Sequence, residues 1–103
     1  MKIKNINGTT QNVCRCGSWL EHWANFSGRT AYYCAALDCN ETDLKGAHVQ
    51  KADAADGNWY IVPLCKRHSR ETGELEITDL YPLVSANKAE TCAKAPRFGG
   101  LGV

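Results

Sequence analysis

Six cysteines in 103 residues are the feature that most constrains what this chain can fold into. Four of them stand in two close pairs, and a fifth is followed three residues later by a histidine. These residues are Cys14, Cys16, Cys34, Cys39, Cys65 and His68. Clustered thiols in a reducing compartment more often hold a metal ion than form disulfides. The cysteine spacing therefore predicts a small fold organised around bound metal.

The length allows one compact domain and is too short for two separate cores. Apolar residues make up 44% of the chain and charged residues 22%, which is typical of a globular protein and excludes intrinsic disorder. We place a single zinc-binding domain at residues 1–92 and a flexible tail at residues 93–103, where Gly and small residues dominate.

Two further classes of protein are disfavoured by the sequence. The segment Met1–Asn5 does not resemble the start of a signal peptide, and no apolar run is long enough to cross a bilayer. We therefore expect a cytoplasmic protein without membrane contact. The net charge is +1, so any binding to nucleic acid would depend on a local basic patch.

Turn and capping residues indicate the first elements. Asn7-Gly8 is typical of a two-residue turn and predicts a β-hairpin with arms Lys2–Ile6 and Thr9–Val13. Ser18 is a good N-cap, and the apolar residues that follow predict a short helix from about Trp19 to Phe26.

The second half of the chain reads as a β-hairpin followed by a helix. We expect one strand from about Ala47 and a second at Trp59–Val62, which Pro63 would end because it has no amide proton. A helix would begin near Leu64 and end at Gly73, and the segment after it looks extended. The predicted fold class is thus α+β, with short helices.

Two local pairs of ligands have the arrangement of a structural zinc site. Zinc prefers four N or S ligands at tetrahedral corners, supplied as two pairs from distant segments. Cys34-x4-Cys39 lies in a loop, and Cys65-x2-His68 lies where the helix is expected to start. The predicted hairpin separates them. This order is the layout of a treble-clef zinc finger, and Zn²⁺ would be its structural cofactor.

Other ligand sets remain open from the sequence. Cys14 and Cys16 could join the same ion, or form a site with Cys65 and His68 that leaves the other pair in the core. A second zinc could instead use four other residues: Cys14, Cys16, His22 and Cys92. Alternatively, Cys92 is a free, partly buried thiol.

The segment from Cys34 to His68 also resembles the HNH endonuclease core. It contains Gly46-Ala47-His48-Val49 and Ile61-Val62-Pro63-Leu64-Cys65-x2-His68, and the similarity covers about 35 residues. The resemblance implies that Cys34, Cys39, Cys65 and His68 bind the structural zinc. It also implies that His48 stands at the position of the general base, which would deprotonate a water while a divalent ion steadies the phosphate.

Three catalytic positions depart from that family. Ala47 replaces a metal-binding His or Asp, Ser69 replaces the last metal-binding histidine, and Tyr60 replaces an orienting asparagine. Without ligands for the catalytic ion, hydrolysis should be very slow. His48 is accordingly interpreted in three ways: a hydrogen-bonding residue of the hairpin, a substitute zinc ligand, or a working base.

Lys66, Arg67 and Arg70 are the candidate contacts to nucleic acid, although a basic run of this size is usually a solvated face. Our sequence-based hypothesis is a monomeric zinc-binding module that binds nucleic acid or another protein without catalysis. The alternative is a metal-dependent, HNH-like endonuclease that uses His48 as general base.

Overall fold

A computed structural model describes residues 1–6, 18–52 and 57–86 of the chain. The elements that these residues form are one α-helix, five β-strands and a 3-10 turn. In chain order they are β1 (Lys2–Asn5), α1 (Trp19–Ser27), β2 (Leu44–Lys51), β3 (Tyr60–Cys65), the 3-10 turn (His68–Arg70), β4 (Glu74–Glu76) and β5 (Val84–Ser85). The fold class is α+β, as the sequence predicts.

The strands form one antiparallel sheet in the order β4-β1-β2-β3-β5. Its longest pairing is the β2–β3 hairpin, which runs in register from Leu44 opposite Cys65 to Val49 opposite Tyr60. This hairpin confirms the β ribbon predicted between the two ligand pairs. In this register Cys65 lies at the open end of the hairpin, far from the loop between β2 and β3.

Helix α1 begins and ends where capping residues dictate. The Ser18 side chain accepts a hydrogen bond from the Glu21 amide, and Gly28, with φ 71°, donates its amide to the Ala24 carbonyl. The helix extends one residue beyond the predicted Phe26. It buries His22 and Trp23 against the sheet.

The helix approaches the sheet most closely at Gly46 of β2. A Cβ atom at this position would lie 2.5 Å from the Leu20 amide nitrogen and closer still to the carbonyl carbon of Trp19. Glycine is therefore required by the contact between two backbones and not by a turn. The first turn of α1 rests directly on β2 as a result.

Buried residues divide into two clusters. The larger lies around β1, β2 and β3 and contains Ile3, Cys34, Ala35, Ala36, Ala47, Val49, Val62, Leu64, Cys65 and Ile77. The smaller lies beneath α1 and contains Trp23, Ile61, Val84 and Ala86. Two of the predicted metal ligands thus belong to the larger core.

Strand β3 does not stop at Pro63, so that prediction is wrong. Pro63 pairs with Gly46, and the strand continues to Cys65. The Pro63 carbonyl accepts a hydrogen bond from the Ala35 amide, so it points away from β2. Because the nitrogen and oxygen of a strand residue point to the same side, the missing amide of Pro63 removes no bond from the β2–β3 ladder.

The helix expected from Leu64 to Gly73 is also absent from the described chain. Pairing with β2 keeps Leu64 and Cys65 extended, and only His68–Arg70 form a 3-10 turn. Gly73 has φ 84° and precedes β4 directly. Of the segment expected to be extended after Gly73, only residues 74–76 form a strand there, and Ile77 adds a single bridge to Ala36.

The predicted N-terminal hairpin is only partly within the described residues. Its first arm is β1, which pairs with β2 on one edge and with β4 on the other. Neither edge of β1 is left for a hairpin partner, so the predicted pairing of this arm with Thr9–Val13 is wrong. Its turn and second arm, Thr9–Val13, lie outside the described residues, as does the predicted tail at residues 93–103. In the described part of the chain, no helix has the length and apolar character needed to cross a membrane.

Candidate metal centre

Three separate segments bring the four predicted ligands to one place. Cys34 and Cys39 are the ends of a tight loop that precedes β2. Cys65 is the last residue of β3, and His68 opens the 3-10 turn. Cys34 and Cys65 are buried, whereas Cys39 and His68 are partly accessible.

The ligand atoms are close enough to share one ion. His68 Nδ1 lies 3.5 Å from Cys34 Sγ and 3.3 Å from Cys65 Sγ, and Cys39 Sγ lies 4.0 Å from Cys65 Sγ. All four atoms are within 4.8 Å of one another. The four residues could therefore hold a metal ion.

These separations fit a tetrahedral site. Bonds of about 2.3 Å to sulfur and about 2.1 Å to nitrogen place neighbouring ligand atoms of tetrahedral zinc roughly 3.5 to 3.8 Å apart. The distances of 3.3, 3.5 and 4.0 Å bracket that range. Three sulfurs and one imidazole nitrogen are also ligands that suit zinc.

The loop that carries the first pair is tied down by its backbone. The Cys34 amide donates to the Glu41 carbonyl, and the Cys39 amide donates to the Ala36 carbonyl. Asp38 has φ 62°, a left-handed conformation that aspartate tolerates better than most residues. The loop thus turns tightly enough to point both thiols at the same point.

Burial and hydrogen bonding act differently on the two buried thiols. Burial raises the pKa of the Cys34 thiol to about 12. Burial also acts to raise the pKa of Cys65, but a hydrogen bond from the His68 amide and contacts with the other thiols outweigh it, so the net shift is downward. A hydrogen bond of this kind favours the thiolate, which is the form that binds metal.

Asn5 is a supporting residue that the sequence analysis missed. Its side-chain amide donates to the His68 carbonyl at 2.8 Å and to the Glu71 carbonyl at 2.9 Å. Asn5 lies on β1, which is 63 residues away from His68 in the chain. No local pattern could indicate this contact, because the pairing of β1 with β4, which sets Lys4 opposite Glu74, creates it.

Tyr81 supports the other side of the centre. Its hydroxyl oxygen accepts hydrogen bonds from the amides of Tyr32 and Tyr33, at 3.0 and 3.2 Å. These two residues lead directly into Cys34.

His48, which the sequence resemblance predicts as a general base, lies outside this cluster. It is 7% exposed on β2, with its ring centroid 4.6 Å from Trp19 and 6.3 Å from Trp59. Its Nε2 atom is buried and has no hydrogen-bond partner. Burial, followed by the charges of His22 and Lys45, lowers its pKa.

His22 is also apart from the metal cluster. It is fully buried, and its Nε2 lies 3.1 Å from the Ser85 carbonyl. A carbonyl only accepts hydrogen bonds, so Nε2 carries the proton. Burial lowers the pKa of His22, while the Ser85 carbonyl acts in the opposite direction. The other proposed ligands are outside the described residues: Cys14, Cys16 and Cys92.

The basic residues Lys66, Arg67 and Arg70 are exposed around the turn that follows Cys65. Lys66 and Arg67 share a small cavity of about 270 Å³ with Glu41 and Asp43. The charge at this surface is therefore mixed, with carboxylates beside the basic groups.

No protein-family model, curated protein or solved structure matches the chain.

Proposed function

We propose that Cys34, Cys39, Cys65 and His68 bind one structural zinc ion. The observation that carries the proposal is the convergence of four zinc-type ligand atoms within 4.8 Å. The ion would join the Cys34–Cys39 loop to the end of the β2–β3 hairpin. This agrees with the predicted zinc finger in its two ligand pairs, but a 3-10 turn stands where the treble-clef layout has the start of a helix. Its closed set of four protein ligands favours a structural role over a catalytic one.

Such an ion would dominate the stability of the domain. Structural zinc binding contributes on the order of 10–16 kcal/mol at neutral pH, against a total stability of about 5–15 kcal/mol for a typical domain. The centre would thus decide whether the larger core stays closed.

We further propose that the domain is a binding module without catalytic activity, whose partner is a nucleic acid or a protein. The burial of His48 between aromatic rings supports this, because a general base must reach the proton that it removes. Ala47, its neighbour, offers no ligand for a catalytic ion.

Native mass spectrometry of the full chain tests the zinc proposal. We expect zinc in the wild type and its loss from this centre in Cys65→Ser, together with a large drop in melting temperature. His68→Cys should retain zinc, since it replaces one ligand by another. Ser69→Ala, a neighbouring change at a residue outside the cluster, should behave as wild type. A chain that keeps its fold in a chelator and carries no metal would contradict the proposal.

A plasmid-nicking assay with Mg²⁺ or Mn²⁺ tests the absence of catalysis. We expect no cleavage above background from the wild type or from His48→Ala. Cleavage that the His48→Ala change abolishes would favour the endonuclease alternative, in which His48 is the general base.

A further inference from the structure

Exposed apolar side chains are concentrated on one face of the molecule. Among the described residues, five large apolar side chains are exposed, and four of them line a single groove of about 610 Å³. These are Tyr32 (66% exposed), Tyr33 (54%), Leu37 (51%) and Leu80 (72%). Clusters of exposed apolar side chains mark interaction surfaces, whereas isolated exposed apolar residues are ordinary.

The walls of the groove are held in place before any partner arrives. Tyr81 accepts hydrogen bonds from the amides of both Tyr32 and Tyr33. On the other wall, the Arg29 guanidinium donates to the Leu80 carbonyl at 3.0 Å. A surface that is already ordered loses less conformational entropy on binding, which favours association.

The charges that line the groove point to the kind of partner. Arg29 and Asp38 are the two charged residues of its lining, and no ion pair joins them. One positive and one negative group provide no basic excess for a polyanion. They do suit an interface in which the same patch meets itself across a two-fold axis, because Arg29 of each copy can then face Asp38 of the other.

The shape of this face supports the same partner. Leu80 protrudes, with 72% of its surface exposed, beside a groove wide enough to receive a large side chain. Two copies related by a two-fold axis would each supply the projecting side chain and the groove that receives it. Tyr and Arg are also enriched where protein interfaces derive most of their energy.

We propose that this groove, lined by Tyr32, Tyr33, Leu37 and Leu80, is the interface of a homodimer. The inference deepens the proposed binding role and rests on it, because the Cys34–Cys39 loop builds one wall of the groove. It replaces the monomer expected from the sequence.

Sedimentation velocity of the zinc-loaded full chain, from about 1 µM to about 1 mM, tests the dimer. We expect a concentration-dependent shift from monomer to dimer. Leu80→Glu should raise the dissociation constant by about tenfold or more, because it places a charge in the apolar contact. Thr42→Glu adds the same charge at an exposed position outside the groove and should leave the dissociation constant unchanged.

A double-mutant cycle tests the facing charges. Arg29→Glu should weaken the dimer, because the new carboxylate would meet Asp38 of the second copy. Adding Asp38→Asn removes that repulsion and should recover part of the lost affinity. Asparagine also tolerates the left-handed backbone at this position. Additive weakening by the two changes would contradict the facing arrangement.

Three outcomes would overturn the proposal. One is a chain that stays monomeric at about 1 mM. Another is an equal effect of Leu80→Glu and Thr42→Glu. A third is binding of a labelled single-stranded oligonucleotide that Leu80→Glu abolishes, since the groove would then belong to nucleic acid. Metal content measured on the same samples separates these results from failure of the zinc proposal: a zinc-loaded monomer contradicts the dimer alone.

Discussion

At the scale of single residues, Gly46 is the one described glycine at which an added Cβ would meet other atoms. A Cβ there would overlap backbone atoms of Trp19 and Leu20, and backbone atoms cannot move aside as a flexible side chain can. We expect Gly46→Ala to destabilise the fold by about 3 kcal/mol, at the upper end of overpacking effects. Urea denaturation followed by tryptophan fluorescence would measure the loss.

Gly28→Ala is the matched control for this substitution. Its Cβ would meet nothing within 4 Å, but Gly28 has φ 71°. The variant therefore isolates the left-handed backbone penalty, which is about 1–2 kcal/mol. If Gly28→Ala were the more damaging of the two, the close approach between α1 and β2 would not be the reason for Gly46.

His48 carries a buried nitrogen with no hydrogen-bond partner. Replacing such a group by an apolar one of similar shape is close to neutral or stabilising. We expect His48→Phe to leave the free energy of unfolding at pH 7.5 unchanged or to raise it by about 1 kcal/mol. His22→Phe should lower it, because that change removes the bond to the Ser85 carbonyl.

The two buried histidines also make stability depend on pH. Their pKa values in the folded chain are lowered below the ordinary 6.5, mainly by burial. As the pH falls below 6.5, the unfolded chain therefore binds protons more readily than the folded one, and stability decreases until the folded pKa values are reached. Well above pH 6.5 both histidines are neutral in the folded and in the unfolded chain, so they do not make the free energy of unfolding depend on pH.

This dependence predicts a difference between wild type and His48→Phe that grows with acidity. The variant should lose less unfolding free energy than wild type between pH 7.5 and pH 5.5, as measured by urea denaturation at each pH. Parallel losses in the two proteins would show that His48 does not titrate in this window.

At the scale of elements, Asn5 connects β1 to the turn that carries His68. Its two donated hydrogen bonds hold the turn at the His68 and Glu71 carbonyls. Loss of a supporting contact of this kind typically weakens metal affinity by about 10–100-fold. We therefore expect Asn5→Ala to weaken zinc affinity by about 10–100-fold, as measured by competition titration with a zinc chelator.

The neighbouring substitution Lys4→Ala is the control for this prediction. Lys4 is exposed on the same strand, so its removal should leave zinc affinity unchanged. Equal affinities for Asn5→Ala and wild type would show that the turn holds its position without the β1 contact.

At the scale of the whole molecule, the two buried clusters should respond differently to the loss of metal. The larger contains Cys34 and Cys65, whereas the smaller lies beneath α1 and contains Trp23. Hydrogen exchange monitored by mass spectrometry, with and without a chelator, would resolve the two. The Ala35 amide donates a hydrogen bond to the Pro63 carbonyl. We expect hydrogen exchange in the peptide that contains Ala35 to be at least about 100-fold faster without metal.

Peptides from α1 should change less in the same experiment, because the helix is capped at both ends and packs on the smaller cluster. Uniform acceleration along the whole chain would contradict the separation and would indicate one cooperative unit that the ion holds together.

Local signals predicted some of these features and misled about others. Ser18 and Gly28 form hydrogen bonds with backbone groups of Glu21 and Ala24, which are close to them in the chain. The local sequence therefore predicts the ends of α1 closely. Pro63 misled because its effect depends on which edge of β3 its nitrogen faces. That orientation follows from the Gly46 pairing and is invisible in the local sequence.

The amino-acid sequence by itself predicted the β2–β3 ribbon and the limits of the helix, since each depends on residue chemistry or on short spacings along the chain. It also offered Cys34, Cys39, Cys65 and His68 as one of several ligand sets, and the convergence of these four in the structure is what favours that set among the described residues. Only the tertiary structure decided that Asn5 supports the His68 turn, that His48 is buried away from the centre, and that exposed apolar residues share one groove. These relations join residues far apart in the chain, and the sheet order that brings them together is set by the packing of all strands at once.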